Sequence, residues 1–141
     1  MRRRQHGQAL AFFALVLPLV LLPVAAFGVE AGFLAARQAH LAEATAQAAL
    51  DAAQQLDTAA LRAGGAWRLD PAAARQVAAA DLALQEPGAV LDGFIVAGAQ
   101  LTLTVHESVP LQLAGFAGPR AATLRASVSA RLTAGYGSPS G

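Results

Sequence analysis

The chain has 141 residues, 55% of them hydrophobic and only 13% charged, whereas about a quarter of an ordinary soluble domain is charged. It contains no cysteine, which excludes disulfides, cysteine-ligated metals and thiol redox chemistry. Arg2, Arg3 and Arg4 place three positive charges at the extreme N-terminus, while the remaining 7 Arg stand against 9 Asp and Glu. A body of net charge −2 offers no phosphate-binding footprint, so nucleic acid is not an expected partner.

Ala9 to Val29 is 21 residues without a charge. As a helix rising about 1.5 Å per residue it measures about 31 Å, the thickness of a bilayer's hydrocarbon core. Arg2–Arg4 on one side and Glu30 on the other bound it. The positive-inside rule then puts the N-terminus in the cytoplasm and everything after Glu30 outside. Pro18 and Pro23 suit a membrane span better than a soluble helix, where each costs about 3 kcal/mol. The competing reading is a cleavable secretory signal, for which Val24-Ala25-Ala26 supplies small residues. The run is longer than the usual apolar region of about 7–15 residues, and the helical pattern does not stop at Ala26.

From Glu30 to about Leu61 the only helix breaker is Gly32, and alanine dominates. Glu30, Arg37, His40, Glu43, Gln47, Asp51 and Gln54 recur at intervals that place them on one polar stripe. Leu34, Leu41, Ala48 and Leu56 fall on or near the other side. Arg37 and Glu43 are too far apart for a close pair, so no salt bridge is expected on this segment. The span and its extension read as one rod of roughly 50 residues, amphipathic only in its second half. Gly64-Gly65 breaks it. Asp70-Pro71 is a helix start, with Asp as N-cap and Pro at the first position. A short helix follows to about Glu86, with Val77 and Leu84 one heptad apart, and Pro87-Gly88 ends it.

The period then changes to two. Leu101, Leu103 and Val105 alternate with Thr102, Thr104 and His106. Leu124, Ala126, Val128, Ala130 and Leu132 alternate with Thr123, Arg125, Ser127, Ser129 and Arg131. Val90–Val96 is a candidate partner strand, turning near Ala97-Gly98. The stretch "PLQLAGFAGPR" reads as a loop with apolar side chains. About three antiparallel strands thus have one apolar face each, and the rod's second half needs a partner for its own. The expected fold is α+β: a long N-terminal transmembrane helix continuing into an amphipathic helix, packed on a small antiparallel sheet, in the shape of a lollipop. The expected division is a basic leader (1–8), a span (9–29), a helical extension (30–63), a head (64–134) and a flexible tail (135–141).

With that layout, the N-terminal third resembles the TadE/TadG-like family, pseudopilin-like proteins of Flp (Tad) type IVb pilus assembly. The likeness is carried by Gly7-Gln8-Ala9-Leu10, then Phe13-Ala14-Leu15-Val16-Leu17-Pro18, then Glu30-Ala31-Gly32-Phe33-Leu34, Arg37 and "AEATAQAALDAA" at 42–53. It covers residues 4–53, with a looser likeness in "VPLQLAGF" and "TLRASVSARLTA". The resemblance implies a structural subunit of the bacterial cytoplasmic membrane, either a minor pseudopilin or an accessory protein of pilus assembly or secretion. It implies the lipid bilayer and other pilus-assembly subunits as partners, and no cofactor. It also marks Gly7–Gln8 as the bond that a prepilin peptidase would cut. One position departs from the pattern. The fifth residue counted from Gln8 is Phe12, where processed pilins commonly carry a glutamate thought to register the incoming subunit. The chain is therefore nearer the TadG-like N-terminal pattern.

Chemistry is sparse. His6, His40 and His106 lack acidic companions at metal-ligand spacing. Ser127 and Ser129 read as solvent-facing strand residues without a nucleophile elbow. "AGGAWR" lacks the ending of a phosphate loop. No catalytic or metal site is expected, and the chain reads as a non-enzyme. Gly28 and Gly32 form a small-xxx-small pattern that lets helices approach closely. Trp67 is either an interfacial or a head-packing aromatic.

Overall fold

The computed structural model describes residues 4–65, 68–113, 118 and 120–132, with side chains from Leu10 onward. Arg2, Arg3, Trp67 and the tail at 135–141 lie outside the described residues. The order is α1 (Arg4–Ala52), α2 (Thr58–Arg62), α3 (Pro71–Gln85), β1 (Ala89–Ala97), β2 (Gln100–Pro110) and β3 (Ala121–Arg131). The class is α+β, with a long apolar N-terminal helix and a small antiparallel sheet. Two units are distinguished: Met1–Ala36 with Pro110–Ala122, and Arg37–Val109 with Thr123–Gly141.

In the first unit, α1 is already helical from Arg4, so the stretch at 4–8 is part of the helix. Pro18 and Pro23 both sit inside it. Most of its large apolar side chains from Leu10 to Val29 are exposed, which leaves an apolar cylinder largely without cover from the described residues. This is one helix near the N-terminus long and apolar enough to cross a membrane. The other segment of this unit is the β2–β3 connection, closed at its base by the Leu111 amide donating to the Arg120 carbonyl at 2.9 Å.

In the second unit, α1 contributes the face of Leu41, Ala44, Thr45, Ala48, Ala49 and Ala52, all buried. The core adds Leu69, Ala74, Ala78, Leu82, Leu101, Leu103, Val105, Ala126 and Ala130. The apolar sheet face and the small-residue helix face thus share one core, as the two unpartnered faces required. Alanine lets helix and sheet backbones come close, and a few leucines supply most of the apolar area.

Three sequence expectations change here. The helical extension stops at Ala52, not near residue 63. Leu56 leaves the helix to form an antiparallel bridge with Leu69, and Asp57 starts a separate helix by accepting from the Ala60 amide at 2.9 Å. On α3 the inward residues are Ala74, Ala78 and Leu82, four apart, while Leu84 is 82% exposed. The polar stripe of α1 also divides. His40, Glu43 and Gln47 face solvent, but Glu30 is buried and Arg37 is half-buried. Residues 30 and 37 lie eleven and four positions before Leu41, about three turns and one turn back, and so share its face.

Asp70 caps α3 as expected, accepting from the amides of Ala72 at 2.9 Å and Ala73 at 3.1 Å with Pro71 at the first position. Asp70→Ala is expected to lower stability by about 1 kcal/mol, checked by chemical unfolding, with Asp70→Asn within a few tenths of wild type.

The sheet order is β1-β2-β3. β1 and β2 form a hairpin with Ala97 opposite Gln100. Gly98, at φ 64, supplies the positive φ that a two-residue turn needs at its first central position. The register shifts between Leu91 and Gly93, leaving Asp92 as the extra residue of a bulge. The bulge resets the phase, so Leu91, Phe94 and Val96 all turn towards the core. Side-chain bonds from Thr102 to Ser129 (2.8 Å) and Thr104 to Ser127 (3.3 Å) fix β3 antiparallel to β2 and run along the outer face. Arg125 and Arg131 are exposed on the same strand.

Candidate functional site: an apolar helix surface and two buried glutamates

On α1, Gly28 and Gly32 are exposed, and an added Cβ at either would meet nothing within 4 Å. Glu30 lies two residues from each, about 200° around the helix, so its carboxylate does not lie on the glycine face. Phe12 is also exposed and packs edge-on against Phe13, with ring centroids 6.2 Å apart and planes at 76°. It adds no charge to this surface. Gly7 and Gln8 are helical in backbone, and their side chains lie outside the described residues. Arg4 opens the helix.

Glu30 is the first charge after the apolar run, yet it is only 6% exposed. Its Oε1 accepts the Leu113 amide at 3.0 Å, which ties the apolar loop to the helix. Two clefts flank the contact. One, of about 110 Å³, is lined by Phe27, Glu30, Ala31, Leu34 and Leu111. The other, of about 190 Å³, is lined by Val29, Glu30, Phe33, Gln112 and Leu113. Apart from Glu30, almost everything in them is apolar.

The second buried glutamate is Glu107 on β2, 4% exposed and in phase with Leu103 and Val105. Arg37 of α1 donates to its Oε1 and reaches Glu86 Oε2 at 3.3 Å. One guanidinium therefore ties α1, the end of α3 and the central strand. The hydrogen bond and the charge of Glu107, with a smaller share from Glu86, raise the Arg37 pKa above its ordinary, already strongly alkaline value. Glu107 Oε2 is buried with no hydrogen-bond partner among the described residues. Gly88 lets this carboxylate in: a Cβ there would stand 3.2 Å from Glu107 Oε1. The expected absence of a salt bridge at Arg37 is overturned, since partners on its own helix are not the relevant ones. The true partners lie 49 and 70 residues away. A signal was present nonetheless, since Glu107 continues the apolar alternation of 101, 103 and 105.

The remaining candidates are dispersed. His106 Nδ1 pairs with Asp92 at 2.7 Å on the outer sheet face, the bulge having aimed Asp92 there. His40 is exposed beside Glu43 and Gln47, on a shallow cleft of about 220 Å³ that also includes Glu86. Among the described residues no three His, Asp or Glu side chains are grouped to hold a metal. Ser127 and Ser129 bond to threonines and have no histidine as base. The described surfaces thus comprise an exposed apolar helix, two exposed glycines with open space beside them, and ion pairs that tie α1, the end of α3 and β2. No family model matches the chain, and neither any curated protein nor any solved structure matches it.

Proposed function

We propose that this chain is a single-pass membrane protein of Flp/Tad-type pilus assembly or secretion, a minor pseudopilin-like or accessory subunit that works by helix packing, not chemistry. In this reading residues 9–29 cross the bacterial cytoplasmic membrane, Arg2–Arg4 hold the N-terminus in the cytoplasm, and the sheet-bearing unit is outside. The observation that carries it is α1 itself. A single helix presents bare apolar side chains through Val29 and then continues as the core helix of the second unit. A discarded signal peptide has no need of that continuity. The TadE/TadG-like N-terminal pattern supplies the pilus context. Other pseudopilin subunits are then the partners of the Gly28/Gly32 face, where backbones can approach closely. Phe12 in place of a glutamate favours an anchor over a registered filament subunit, since a carboxylate at that depth would cost about 3 kcal/mol without a partner.

The test is the intact mass of the protein extracted from the membrane fraction. The full chain, or the chain lacking residues 1–7 after prepilin-type cleavage, is expected. Loss of residues 1–26 would sink the anchor reading and establish the alternative, a secreted or periplasmic module released after Ala26.

A further inference from the structure

We propose that the β2–β3 connection around Leu111–Leu113 is a second membrane contact, seated at the outer boundary between headgroups and acyl chains, with Glu30 as the buried latch that holds it there. The inference rests on reading residues 9–29 as a membrane span. Glu30 closes the charge-free run, and at that position a carboxylate would ordinarily mark the water boundary. Here it is turned under the loop and accepts the Leu113 amide at 3.0 Å. The helix surface beyond it stays uncharged through Phe33, Ala35 and Ala36, all exposed, until Arg37. With Glu30 hidden, the apolar surface runs from residue 10 to residue 36. At about 1.5 Å per residue that is about 40 Å, longer than the hydrocarbon core and close to the full bilayer with its interfaces.

Leu111 and Leu113 belong to the same apolar belt. Ser108 to Pro119 carries no charge at all. Leu113 is 41% exposed although its own amide is tied down. The two clefts on either side of Glu30 are lined by Phe27, Val29, Phe33, Leu34, Leu111 and Leu113, which suits the upper methylenes of lipid tails. Among the described residues no Arg lines either cleft, and the chain has no Lys, so the partner is the apolar boundary of a bilayer and not an anionic headgroup. Each loop leucine and each helix phenylalanine that reaches the boundary adds buried apolar area without a new span.

The chain lacks cysteine, so Leu113→Cys and Leu21→Cys each give a unique labelling site. Each full-length variant is labelled with an environment-sensitive dye and reconstituted in phosphatidylcholine vesicles. Quenching is measured with lipids spin-labelled near the headgroup, with lipids spin-labelled deep in the tail, and with aqueous iodide. The dye at 21 is expected to respond to the deep quencher. The dye at 113 is expected to respond to the shallow quencher and to be shielded from iodide. Adding Glu30→Ala to Leu113→Cys is expected to reduce shallow quenching by about twofold or more, and Glu30→Gln, which keeps an acceptor oxygen, to preserve it. Free iodide access at 113 with deep quenching at 21 would overturn the loop contact and leave the span standing. Shielding of 113 from both iodide and lipid would mean a protein cover and would also overturn it. No lipid quenching at 21 would remove the span itself. These readings of the dye at 113 with Glu30 intact do not depend on how the Glu30 variants fold.

Discussion

Replacing Leu103 by alanine is expected to cost about 4 kcal/mol, towards the upper end of the range for buried leucines. Leu103 is fully buried on the central strand, opposite Phe94 of β1. Few other large side chains are fully buried; Leu41, Leu101 and Val105 are the apolar ones. The rest of the core is mostly alanine: Ala48, Ala49, Ala52, Ala74, Ala78, Ala126 and Ala130. An alanine has no side-chain rotamer with which to refill a cavity, so the void can close only by moving backbone. Against a typical total stability of about 5–15 kcal/mol, one such loss removes from about a quarter to most of it. Urea unfolding of the detergent-solubilised protein measures it. Leu84→Ala is the control: that side chain is 82% exposed, and a change within about 0.5 kcal/mol is expected. Equal losses at the two positions would contradict the core described here.

Arg37→Met is expected to cost about 3 kcal/mol for a different reason. The substitution keeps much of the apolar stem but leaves Glu107 and Glu86 buried beside each other without a counter-charge. Removing one partner of a buried pair costs about 3–5 kcal/mol, and the low end applies because a third of the Arg37 side chain reaches solvent. The triple variant Arg37→Met, Glu86→Gln, Glu107→Leu is expected to recover most of the loss, since an apolar replacement of a buried ion pair is often neutral. A triple variant no more stable than Arg37→Met would show that the penalty is lost packing and not stranded charge. The pH dependence follows from the direction of the shift. A cation whose folded pKa is raised contributes fully below its unfolded pKa and loses that contribution only as the pH climbs through the folded one. For Arg37 that window lies at extreme alkaline pH. The stability difference between wild type and Arg37→Met is therefore expected to stay flat between about pH 9 and 11.

Much of the architecture could be read from local pattern. The strands at 101–105 and 124–132 announced themselves by alternation, and the start of α3 by Asp70-Pro71, because each signal is complete within a few residues. The end of α1 was not readable in that way. "ALDAAQQLDTAALR" contains no glycine or proline, and helix propensity alone carries it through to Leu61. The break is set by the Leu56–Leu69 bridge, a contact between segments that local sequence does not relate. The bulge at Asp92 escaped for the same reason, since it exists only relative to β2. The site residues divide likewise. Gly28 and Gly32 were visible as a spacing. The ties from Arg37 to Glu86 and Glu107 and from Glu30 to Leu113 link positions tens of residues apart, and only folding supplies those distances.

The placement of β3 has one more consequence. It lies at the edge of a three-stranded sheet, and its sequence "ATLRASVSA" is of a kind that readily recruits another strand. Arg125 and Arg131 stand on the outer side of this edge, six residues apart, so two copies aligned edge to edge would bring like charges together. Charges on an edge strand count against fibrous self-association, and these two stand at the surface without occupying any of the small alanine-lined core.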